Sequence, residues 1–166
     1  MRTKKLYLLF GLPLIAFNVS VRGQPFVDGK AYPGALCQPE TNTQSILRNS
    51  KGIMLNTGPE PQNWICPIVR AQSGNIESAT IRVRDRNATA GDPKADVSCT
   101  LFSMTPTGTL VDSATQGTVG DPGTVKLQYG AINSVFRGYY YFRCTVPGTF
   151  EGRRSGVIEY LVVERV

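Results

Sequence analysis

The sequence has no histidine. A Ser-His-Asp triad, a Cys-His dyad, an HExxH zinc site and an imidazole acid–base pair are therefore all excluded within this chain. Charge is also scarce. Asp, Glu, Lys and Arg make up 18% of the 166 residues, below the usual quarter or so, which rules out a disordered polyelectrolyte. No C-x-x-C spacing occurs, so a cysteine metal site lacks both its common spacing and a histidine to complete it. Beyond the N-terminal segment no window of a dozen residues carries an unbroken helical stripe, which excludes a coiled coil. The 17 Gly and 11 Pro are only moderately many and show no collagen period.

The first 23 residues stand apart from the rest. Arg2, Lys4 and Lys5 precede an apolar run at 6–17 that is interrupted by Gly11 and Pro13. The run is too short to span a bilayer comfortably and has the form of a secretory signal. Val21-Arg22-Gly23 predicts cleavage before Gln24, with Ser20 as the other candidate last residue of the signal. Residues 1–23 are thus read as a signal peptide and 24–166 as one domain, secreted or periplasmic, with no transmembrane segment after cleavage. Removing the signal takes away Arg2, Lys4, Lys5 and Arg22 and no acid, which lowers the net charge from +6 to +2. Nucleic-acid binding loses its main support with that basic excess.

Cys37, Cys66, Cys99 and Cys144 form an even set in an exported chain, and two disulfides follow. Three pairings are possible. Pairing nearest neighbours, Cys37–Cys66 and Cys99–Cys144, is preferred, and each closure is worth about 3–4 kcal/mol in the chain-entropy model. Between the cysteines the chain reads as strands. Ala79, Ile81 and Val83 alternate with Thr80, Arg82 and Arg84, and Val97, Cys99 and Leu101 with Ser98 and Thr100. Val125, Leu127 and Tyr129 alternate with Lys126 and Gln128; Tyr140, Phe142, Cys144 and Val146 alternate with Tyr139, Tyr141, Arg143 and Thr145. Residues 157–163, apolar at nearly every position, predict a central strand covered on both sides. Residues 64–69 and 52–56 are further strand candidates. Thr105-Pro106-Thr107-Gly108 predicts a type I turn closing a hairpin, and 38–50 a polar loop with one short helical turn. The fold class that results is all-β: an antiparallel β-sandwich or jelly roll of about eight strands.

The blocks YPGALCQP, GIMLN, CPIVR, VSCTLFS, YYYFRCTVPG and SGVIEYLVV resemble those of a group of uncharacterised exported bacterial β-sandwich proteins with four cysteines. The resemblance covers residues 32–163. It implies compartment and fold, and no activity. A weaker likeness joins Cys37, residues 52–55 and 64–66 to the first half of a CUB domain, an extracellular disulfide-bonded sandwich used in protein and glycan binding. The wide spacing of Cys99 and Cys144 departs from that family, and its acidic calcium cluster has no clear match.

Asp85, Asn87, Thr89 and Asp96 have the spacing of an oxygen-rich calcium loop. Gly91 is misplaced for an EF-hand, however, and a plain turn-forming loop is the simpler reading. No cofactor is expected. Arg82 and Arg84, with Arg86 next in the series, recur at every second residue and so line one strand face. They suit carboxylate, sulfate or phosphate groups, against the plainer reading of a solvated face with acids such as Glu159 opposite. Tyr139 and Tyr141 suit sugar rings or a partner surface. If the two strands share a sheet, Arg82, Arg84, Tyr139, Tyr141 and Arg143 form one cationic–aromatic patch. Without histidine, catalysis would need two carboxylates from Asp28, Glu40, Glu60, Glu77, Asp112, Asp121, Glu151 and Glu159 across a cleft, and no spacing nominates a pair. The strands are short and polar on their outer face, unlike those of a membrane barrel. The expectation is a non-enzymatic binding module for an extracellular protein or glycan, the alternative being a self-associating structural subunit of an envelope assembly.

Overall fold

Short alternating segments, stapled in pairs, build two antiparallel sheets. The computed structural model describes residues 27–41, 45–70, 75–87, 95–120 and 122–165. The six-stranded sheet contains β1 (Val27–Pro33), β3 (Ile46–Arg48), β4 (Met54–Asn56), β6 (Ile76–Asp85), β9 (Gly123–Tyr129) and β11 (Gly156–Arg165). The five-stranded sheet contains β2 (Gln38–Pro39), β5 (Gln62–Ile68), β7 (Ser98–Met104), β8 (Leu110–Gly117) and β10 (Tyr139–Val146). The orders are β3-β4-β11-β6-β9, with β1 also on β11, and β2-β5-β10-β7-β8. Among the described residues eleven strands replace the eight expected. The surplus is β1 and the two- and three-residue β2 and β3, too short to show a period. Among the described residues the region 38–50 holds those two short strands and no helical turn, and the one 3-10 turn lies earlier, at Gly34–Leu36.

Alternation predicts the core well. Ala79, Ile81 and Val83 of β6, Cys99 and Leu101 of β7, and Tyr140, Phe142, Cys144 and Val146 of β10 are all buried. They meet Trp64 of β5 and Val157, Tyr160 and Val162 of β11 in one core between the sheets. Two phenols cross it. Tyr129 donates from its hydroxyl to the Cys99 carbonyl (2.8 Å), and Tyr160 to the Pro67 carbonyl (2.7 Å). Each ties the six-stranded sheet to a strand backbone of the other, and burial pushes both phenol pKa values up.

The disulfides are Cys37–Cys66 and Cys99–Cys144, the preferred pairing. Cys99 and Cys144 stand directly opposite in β7 and β10, and Cys37 enters β2 beside β5, so both bonds staple the five-stranded sheet within itself. The 105–108 turn forms as expected, with Gly108 N–H donating to the Thr105 carbonyl at 3.0 Å. The β11 expectation is corrected in part. The strand is central, between β6 on one side and β1 and β4 on the other, but only one face is covered. Glu159 and Leu161 point to solvent, Leu161 with 39% of its surface exposed.

Candidate ligand-binding face

The cationic–aromatic patch does not form. Arg82 and Arg84 lie on β6 in the six-stranded sheet, and Tyr139, Tyr141 and Arg143 lie on β10 in the other. Both sets face outward as alternation requires, but on opposite sides of the sandwich. Arg82 meets Glu159 at 3.1 Å across the β6–β11 pair, the plain solvated ion pair of the simpler reading, worth little at this exposure.

Outward positions of the five-stranded sheet form rows across strands. Pro67, Tyr141, Phe102 and Ser113 make one row, and Ile65, Arg143, Thr100 and Thr115 the next. Phe102 and Tyr141 lie 5.1 Å apart between centroids at 21°, and Tyr141 and Tyr139 lie 6.2 Å apart at 23°. The three rings therefore stand nearly parallel in a ridge, with Tyr139 at its open end, 42% exposed. Beside the ridge runs a trough of about 410 Å³ lined by Ile65, Pro67, Ile68, Tyr139, Tyr140 and Tyr141.

Polar groups follow in the next cross-strand row of the same face. Arg143 forks onto Glu40, Nε to Oε1 at 2.6 Å and Nη2 to Oε2 at 2.8 Å. The hydrogen bond to Glu40 is the main cause raising the Arg143 pKa, and it fixes the guanidinium plane. Thr100 and Thr115 hydroxyls meet at 2.8 Å, and Thr145 donates to Asn63 Oδ1 at 2.8 Å. Burial, then the neighbouring Tyr139, pushes the Tyr141 phenol up. Sequence reading missed Phe102, Ile65 and Pro67. Phe102 was within reach, because inward Cys99 and Leu101 turn it outward; the other two needed the strand pairing.

The Asp85 carboxylate is fully buried and accepts from the N–H groups of Asn87 and Val97 and from the hydroxyls of Ser155 and Thr118. Asp96 accepts from Gly120 N–H. Both calcium-loop carboxylates thus hold backbone in place, and Thr89 and Gly91 of that loop lie outside the described residues. Among the described residues no group of three His, Cys, Asp or Glu side chains could hold a metal. Of the candidate catalytic acids, Glu40 and Glu60 do share a cavity, about 360 Å³ in volume. Among the described residues no helix is long and apolar enough to cross a membrane.

No protein-family model and no curated protein matches the chain. Solved structures do match in outline. One is the CBM36-1 domain of a multidomain xylanase from the hindgut metagenome of Trinervitermes trinervoides, 12% identical, covering 84% of this chain and 98% of that one at a TM-score of 0.49. Another is a CBM36 carbohydrate-binding module in complex with calcium and xylotriose, 9% identical, covering 81% and 99% at 0.46. A third is CBM86, a low-affinity xylan-binding module from Roseburia intestinalis, 10% identical, covering 81% and 94% at 0.47. Likenesses this distant assign neither a ligand nor a role to any residue here.

Proposed function

We propose that the protein is a non-catalytic binding module, exported by way of residues 1–23, that holds a glycan chain in the trough beside Tyr139, Tyr141 and Phe102. The ring ridge is the observation that carries this reading. An extended sugar chain has apolar C–H faces that pack on aromatic rings and hydroxyl edges that need polar partners. This face offers both, with Ile65 and Pro67 lining the trough and the Arg143–Glu40 fork and the Thr100 and Thr115 hydroxyls in the neighbouring row of the sheet. The two disulfides suit an oxidising exterior.

Affinity electrophoresis through gels containing neutral β-linked polysaccharides tests the proposal. The wild-type protein is retarded by at least one of them. Tyr139→Ala and Tyr141→Ala each weaken retention about tenfold. The unfolding midpoint hardly moves for exposed Tyr139, and stability falls by about 1 kcal/mol for half-buried Tyr141, which loses its stack on Phe102. Retention of the double variant equal to wild type overturns it.

A second reading, hydrolysis by paired carboxylates, has the shared cavity of Glu40 and Glu60 behind it. Against it, both Glu40 oxygens are engaged by Arg143, which leaves that carboxylate poorly placed to take or give a proton. Release of reducing ends that disappears in Glu60→Gln would favour this reading over binding alone.

A further inference from the structure

Four arginines converge on a concavity of the six-stranded sheet, remote from the aromatic trough. Alternation turns Arg84 outward near the end of β6, and Arg86 follows just beyond it. Arg153 and Arg154 arrive from the turn before β11. That turn is tight: Phe150 and Arg153 exchange backbone hydrogen bonds of 3.2 and 2.8 Å around Glu151 at φ 49° and Gly152 at φ 75°, the two left-handed positions of a type I′ turn. The two segments are locked together. Arg86 N–H donates to Ser155 Oγ (2.9 Å), and Ser155 Oγ donates to the inward-facing Asp85 (3.2 Å). The resulting pocket, about 490 Å³, is lined by Leu55, Arg84, Arg86, Gly152, Arg153 and Arg154.

No acid lines this pocket among the described residues, and none stands within ion-pair distance of Arg84, Arg86 or Arg154. The contrast with Arg82, two residues away on the same face and paired with Glu159, is direct. Moreover, Arg86 Nε is withdrawn from solvent without a hydrogen-bond partner, a state that normally signals a missing acceptor. Guanidinium forks match tetrahedral oxyanions, and mutual repulsion among these groups is relieved by a bound anion. The pocket has the size of small-molecule sites, more room than one ion fills, with Leu55 as an apolar contact for the remainder. A duplex backbone would instead need cations spread along a track.

We propose that Arg84, Arg86 and Arg154, in the pocket that Arg153 also lines, bind a sulfate or phosphate group carried as a monoester on a sugar-sized body. The site is independent of the glycan trough. Calorimetry at low salt, titrating glucose 6-sulfate, glucose 6-phosphate, inorganic sulfate, inorganic phosphate and glucose into the oxidised protein, tests it. At least one ester binds about tenfold more tightly than either inorganic ion, glucose gives no signal, and added salt weakens the binding. Arg84→Ala with Arg154→Ala reduces ester affinity about tenfold or more, and Arg154→Gln alone, on the exposed turn, reduces it by less without touching the fold. Tyr139→Ala with Tyr141→Ala leaves it unchanged. No ester binding, or ester binding that survives the arginine substitutions, overturns the site; equal affinity for ester and inorganic ion overturns the sugar-sized body.

Discussion

Tyr129 and Tyr160 each donate a phenol proton to a carbonyl of the opposite sheet, so each couples the sandwich layers through one buried group. Tyr129→Phe should lower unfolding free energy by about 1–2 kcal/mol, because the Cys99 carbonyl left behind stays buried, and Tyr160→Phe by less, because the Pro67 carbonyl is only part-buried; both are seen as a lower urea midpoint at unchanged slope. Their pH dependence has a definite sign. Both folded-state pKa values lie above the ordinary phenol value of about 10, so the folded form holds its protons longer. Stability from these groups is whole below about pH 10 and falls as pH rises above it. Urea midpoints measured from pH 8 to 11 should drop at the alkaline end, and less steeply in the double Phe variant. Asp85 is the other residue of consequence: Asp85→Ala removes an acceptor shared by four donors, leaving the Val97 N–H with Thr118 Oγ1 alone, and should cost about 3 kcal/mol in the same assay. The sequence showed which way Tyr139, Tyr141, Arg82 and Arg84 point, because alternation is local. It did not show that β6 and β10 lie in different sheets, because that depends on contacts far apart in the chain.

At the level of elements, β7 and β10 carry the ring ridge and are bolted together by Cys99–Cys144. Replacing both cysteines by Ala should cost about 3–4 kcal/mol, measured by thermal unfolding, and loosen Tyr139, Tyr141 and Phe102 together. The hairpin at 105–108 and the alternating strands β6, β7, β9 and β10 were legible because each is long enough to show a period of two and is bounded by turn residues. β2, β3 and β4, of two or three residues each, were less so. They are strands because β5, β4 and β11 offer them ladder partners, and partners do not appear in a local window. The apolar density of β11 misled for a related reason. A strand between neighbours can keep Leu161 on a solvent face, and the strong apolar run does not reveal which face that is.

The whole molecule is a sandwich with chemically different outer faces, one bearing the aromatic trough and the other the arginine pocket. On the binding-module proposal it should sediment as a monomer across a wide concentration range; oligomers that grow with concentration would instead favour the structural-subunit alternative. The most direct test of the central claim is a heteronuclear NMR titration of the oxidised protein with a neutral β-1,4-linked hexasaccharide. Amide and ring signals of Ile65, Phe102, Tyr139, Tyr141 and Arg143 should shift progressively while those around Arg84 and Arg154 stay still. Shifts confined to the six-stranded sheet, or none at millimolar ligand, would contradict the account.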